Sequence, residues 1–174
     1  GCQPVGRGIG PALEARDVLA VLQGGEHAPA DLRERALNLA AAVLELGAAA
    51  APGEGAVLAR RTLDSGLAWA KFQAICEAQG GMRRPPVAAF REVITSRVSG
   101  TVETFDNRRL SRVAKLAGAP QAPAAGIDLH VHLGDAIVTG QPVFSIHAES
   151  AGQLAYALDF LRAGPAQPVI VMPR

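Results

Sequence analysis

The chain has 174 residues and a mass of 18.0 kDa, with 49% hydrophobic but only 4% aromatic residues. That length allows one domain or two small ones, with a core packed from Ala, Val and Leu. Seventeen Lys and Arg against sixteen Asp and Glu leave a net charge of +1, without the basic excess of a nucleic-acid binder. No uninterrupted apolar run approaches the ~18 residues of a membrane span, and the hydrophobic content excludes disorder. Two cysteines, Cys2 and Cys76, make neither a disulfide framework nor a CxxC pair, which fits a reducing cytoplasm. The opening Gly1-Cys2-Gln3-Pro4 has no Met and no secretory pattern, so the chain reads as a piece of something longer.

A glycine-punctuated loop, Gly6-Arg7-Gly8-Ile9-Gly10, runs into Pro11, a residue suited to the first position of a helix. Ala15, Val18, Leu19 and Leu22 then repeat at helical spacing until Gly24-Gly25. A second helix is predicted from Pro29 to Leu46, with Leu32, Ala36, Leu39, Ala40 and Val43 as its buried stripe and Gly47 as its stop. A third covers Glu54 to Asp64. The fourth carries Trp69, Phe72, Ile75 and Cys76 on one face and halts at Gly80-Gly81. Residues 1–81 therefore read as all-helical.

Met82-Arg83-Arg84-Pro85-Pro86 breaks this texture and marks a boundary. Beyond it, Val93 to Phe105 is β-rich, with Ser99-Gly100 as a bulge or turn. Asp106-Asn107 offers a cap for a helix holding Leu110, Val113, Ala114 and Ala117. Strands are predicted at Ile127–Leu133, Val143–His147 and Pro168–Met172, with turns at Gly134-Asp135 and Gly140-Gln141-Pro142. Ser150-x-x-Gln153 is a capping box for a helix reaching Leu161, closed by Gly164-Pro165. The fold class is α+β: a helical segment over 1–84, then a compact α+β unit over 85–174 with its short strands in one sheet and two helices against it.

Few residues carry an obvious chemistry. Glycines and Arg7 ahead of a helix N-terminus suit an anion, but a dinucleotide fingerprint needs a preceding strand and a glycine where Pro11 stands. The Walker lysine is also missing, and a tight backbone approach is the simpler reading. His130 and His132 are two apart on a predicted strand and share a face, with His147 on a strand that could lie beside them. No carboxylate or cysteine stands at ligand spacing next to them, so no metal site is assigned. Cys76 on an apolar stripe reads as a buried, inert thiol, and Cys2 is poorly placed for a nucleophile. The serines form no GxSxG motif, and the Arg60-Arg61 and Arg83-Arg84 pairs read as solvated faces. Only Lys71 and Lys115 could form a Schiff base, and neither sits in a loop signature. Gly134-Asp135 to Gly140-Gln141-Pro142-Val143 resembles the hairpin of biotinyl and lipoyl carriers, but neither lysine stands at its tip, which excludes a carrier.

Three stretches support a wider resemblance: Gln3 to Arg16, Ser99-Gly100-Thr101-Val102, and Gly134-Asp135 through Ile146-His147-Ala148-Glu149. Together they resemble the C-terminal portion of the thymidine/pyrimidine nucleoside phosphorylase family. The wording Gly8-Ile9-Gly10-Pro11-Ala12-Leu13-Glu14-Ala15-Arg16 is similar to the AMP phosphorylase branch. This resemblance implies that residues 1–84 belong to a large α/β domain and that 85–174 form a barrel-sandwich-like domain. It also implies a parent that cleaves an N-glycosidic bond with phosphate, giving free base and a (deoxy)ribose 1-phosphate. The implied partners are a nucleoside or nucleoside monophosphate and phosphate as co-substrate, with no cofactor, no nucleic acid and no membrane. A cytoplasmic homodimer is the implied form of that parent. No stretch matches the family's phosphate loop or base-binding set, so no catalytic residue is carried over, and Arg7 is the one substrate-side candidate. The alternative is a non-catalytic interaction module with a sandwich-like fold.

Overall fold

The computed structural model describes residues 3–164 and 168–172; the expectations for Cys2 and Pro165 lie outside them. Chain order is β1 (Gly8–Ile9), α1 (Pro11–Leu22), α2 (Ala30–Leu46), α3 (Gly55–Asp64), α4 (Leu67–Ala78), β2 (Phe90–Thr95) and β3 (Gly100–Phe105). There follow α5 (Asn107–Leu116), β4 (Gly126–Leu129), β5 (Ala136–Ile137), β6 (Pro142–Ala148), α6 (Ala151–Ala163) and β7 (Val169–Met172). The fold is α+β. Two compact units are present: Gly1–Arg16 with Pro85–Arg174, and Asp17–Arg84.

The first unit holds two antiparallel sheets, ordered β1-β4-β6-β2 and β5-β3-β7, and among the described residues neither closes into a barrel. β6 is buried from Val143 to Ala148 because it lies between β4 and β2. Alternation splits its side chains between two faces. Phe144 and Ile146 stand opposite Leu129 and Ile127 on one face, where Leu110 and Val113 of α5 complete a fully buried core. Asp106 caps α5 by accepting the Arg109 N–H at 2.9 Å, and Ser150 caps α6 by accepting the Gln153 N–H at 3.2 Å. The Arg109 guanidinium sits 5.0 Å from the Phe160 ring and ties these two helices together.

Three sequence expectations change in this unit. A short strand, β1, occupies Gly8–Ile9 and pairs with β4, so residues 1–81 are not wholly helical. The strands form two sheets rather than one, and the β-rich stretch divides between them: β2 pairs with β6, whereas β3 pairs with β5 and β7. Between β2 and β3, Ser96 bonds to the later turn, its N–H donating to Gln141 O at 2.9 Å and its O accepting the Gly140 N–H at 2.8 Å. The strand expected over Ile127–Leu133 starts at Gly126 but ends at Leu129, so His130 and His132 lie beyond it.

The second unit is helical. α2 and α3 form an antiparallel pair in which Gly55 approaches α2 so closely that a Cβ there would fall 2.4 Å from Ala41 O. Glu45 Oε1 accepts the Gly55 N–H at 2.9 Å, and Arg33 and Arg60 form ion pairs with Asp64 and Glu34. The α2 face turned to α3 therefore holds Leu37 and Ala41, one helical turn apart. The predicted stripe lies on the opposite side, with Leu39 and Val43 exposed. α4 has no buried residue: Trp69 stacks on Phe72 at 5.9 Å, and Cys76 is half-buried rather than enclosed.

Candidate functional site

The Gly6–Gly10 loop is built as a close backbone contact. A Cβ on Gly10 would fall 2.4 Å from Ala125 O, and one on Gly126 would fall 2.1 Å from Ile9 O. No side chain fits between these strands. The Gly10 N–H, one of the donors that α1 leaves over, goes to Glu14 Oε1 at 2.9 Å, and the Ala12 N–H goes to Pro123 O at 3.0 Å. Arg7 enters through its backbone, its carbonyl accepting the Leu129 N–H at 2.9 Å, and its guanidinium bears electrostatically on His130.

A polar cluster lies on the face of the four-stranded sheet opposite the apolar core. Cross-strand partners share a face, and the register sets Ser145 opposite Asp128 and His147 opposite Arg91. Ser145, fully buried, accepts from Arg91 Nη2 at 2.9 Å and stands 2.7 Å from His130 Nε2. Arg91 can only donate, and the Ser145 hydroxyl keeps one proton and a second lone pair for His130 Nε2, so it pairs with either tautomer of the imidazole. Burial lowers the pKa of His130 from its ordinary 6.5; Asp128 opposes this, and Arg91 and Arg7 add to it. Burial likewise lowers His147, against Asp128 and with Arg91, Arg16 and His130. His147 is 8% exposed, and its Nε2 is buried with no hydrogen-bond partner among the described residues.

A serine 2.7 Å from a histidine has the spacing of a nucleophile and its base. Here Ser145 is enclosed, and its oxygen already holds Arg91. Ser145 instead links Arg91 of β2 and His130, the residue after β4, to β6. His132 stands apart from this cluster: its backbone N–H donates to Asp135 Oδ2 at 2.7 Å. Among the described residues no group of three or more His, Cys, Asp or Glu could hold a metal. Lys71 and Lys115 are both exposed on helices. Ser145, Arg91 and Asp128 escaped the sequence reading. One signal was available, the polar pair Ser145 and His147 two apart within an apolar strand, but its partners depend on strand pairing.

Residues 101–164 match the family described as Pyrimidine nucleoside phosphorylase C-terminal domain. The chain is 64% identical over 165 residues to "Putative thymidine phosphorylase 2" of Acidovorax sp. (strain JS42), covering 95% of this chain and 32% of that protein. It is 57% identical over 166 residues to the "Putative thymidine phosphorylase" of Sphingopyxis alaskensis, again over 95% of the chain and 32% of the relative. The protein of the same name from Legionella pneumophila (strain Paris) is 55% identical over 172 residues, covering 99% of the chain and 33% of the relative. The chain thus spans about a third of the length of these relatives.

Proposed function

We propose, for a chain that belongs to the pyrimidine nucleoside phosphorylase C-terminal family, that it completes a phosphate-dependent pentosyltransferase and does not itself hold the reacting groups. The parent reaction is cleavage of an N-glycosidic bond by phosphate, releasing free base and a (deoxy)ribose 1-phosphate. Its substrates are a nucleoside or nucleoside monophosphate and phosphate, and its form is a cytoplasmic homodimer. The observation that supports this reading is 64% identity sustained over 95% of the chain to a relative bearing the thymidine phosphorylase name. Phosphorolysis needs a bound phosphate, stabilisation of charge developing on the leaving base and exclusion of water. The one Ser–His pair described above is closed to substrate. In this reading residues 1–84 belong to a large α/β domain, and Arg7 has a supporting role on the substrate side. Thymidine and AMP are both retained as candidate substrates, the second because Gly8 to Arg16 is similar to the AMP phosphorylase branch.

The test is a chimera: the Acidovorax relative with its aligned third replaced by this chain. Base release from thymidine and from AMP is measured with and without phosphate. Phosphate-dependent turnover by the chimera, and none by the chain alone, is the expected result. A chimera that folds to the size and circular dichroism of the relative but releases no base from either substrate overturns the reading.

A further inference from the structure

α2 is apolar on two opposite sides. Leu37 and Ala41 meet α3, while Ala36, Leu39, Ala40, Val43 and Leu46 form a second stripe about half a helical turn away. From Ala36 to Leu44 the only polar residue is Asn38. A helix that is hydrophobic all round belongs in an interior, yet Leu39, Val43 and Leu46 are 59%, 67% and 87% exposed. Within the unit Asp17–Arg84 the buried hydrophobic side chains are Val21, Leu37 and Ala59. Three small or medium side chains are too little core for a helical unit of this length, and exposed patches of this kind mark interaction surfaces.

We infer that the Leu39–Val43–Leu46 face of α2 is a docking face, and that its occupant is the part of the phosphorylase fold that this chain does not span. The relatives are about three times as long as the aligned chain, so polypeptide sufficient to cover the face exists in each of them. The stripe carries no charge and includes the small residues Ala36 and Ala40, which suits close approach by an equally apolar layer. This inference rests on the assignment of residues 1–84 to a larger α/β domain. Its test reads stability and accessibility, so it stands or falls separately from turnover.

Leu39→Lys and Val43→Lys are made in the chain alone and in the chimera that carries it. The chain alone is expected to keep its circular dichroism and unfolding midpoint, because both side chains already face solvent. The chimera is expected to lose more than about 5 °C of midpoint or to fail to fold. Leu39→Cys covers the second case: its labelling by a thiol reagent, above the background of Cys2 and Cys76, is at least about tenfold slower in the chimera than in the chain alone. Equal labelling in the two overturns the proposal. So does a loss of midpoint in the chain alone, which would mean that its own residues cover the face. Self-association of the chain that Leu39→Lys abolishes would make a second copy the occupant, and overturns it as well.

Discussion

His130 Nε2 stands 2.7 Å from Ser145 Oγ across the β4–β6 boundary, and Arg91 of β2 donates to the same oxygen at 2.9 Å. One fully buried hydroxyl thus pairs with a group from β2 and with the residue that follows β4. Ser145→Ala removes the acceptor of Arg91 and the hydroxyl partner of His130 together. The expected cost is about 1–3 kcal/mol, that of leaving partly buried polar groups unpaired. Urea unfolding of the chain checks this, and a change under about 0.5 kcal/mol would mean that water replaces the hydroxyl without loss.

Acid is expected to destabilise this unit through the same cluster. His130 and His147 are held below their ordinary pKa of 6.5 in the fold, so the unfolded chain binds protons first as the pH falls. Stability is then unaffected by these groups well above pH 6.5, and declines from there down to the folded pKa values. Unfolding midpoints measured from pH 8 to pH 5 should fall across that window, and His130→Asn with His147→Asn should flatten the decline. A profile unchanged by the double substitution would assign the acid sensitivity to carboxylates instead.

Gly10 and Gly126 are the glycines that the β1–β4 contact requires. Their φ angles are +131° and +153°, and an added methyl would meet backbone oxygen at 2.4 and 2.1 Å. Gly126→Ala is therefore expected to cost more than about 3 kcal/mol, enough to lose soluble folded protein. Gly53→Ala is the control: its φ is +87°, but nothing lies within 4 Å of the new methyl. About 1 kcal/mol is expected there. Equal effects at the two positions would show that conformation rather than close approach sets the cost.

Arg7→Ala in the chimera separates a ligand-side role from a structural one. The backbone of Arg7 already holds Leu129, so the substitution leaves that hydrogen bond in place. The expected result is a KM for phosphate raised about tenfold, with the unfolding midpoint changed by less than about 1 °C. A lower midpoint with unaltered kinetics would make Arg7 a pin for the loop.

Local chemistry was legible in the chain from the start. Pro11 opens α1, Asp106 and Ser150 cap α5 and α6, and Gly47 follows the last residue of α2, because these signals act within one helical turn. The α+β class followed from the change of apolar period near Pro85-Pro86, a property of the sequence alone. Which face of α2 is covered did not. Both faces are apolar, and the choice rests on Gly55, whose missing side chain lets α3 approach Ala41 and leaves Leu39 and Val43 outside. Strand pairing was equally out of reach. Arg91, Asp128, His130 and Ser145 span more than fifty positions, and they meet only because β6 takes β2 on one side and β4 on the other. Hydrogen bonds between strands join backbone groups that every residue carries, so partner choice is decided by the packing of the whole sheet.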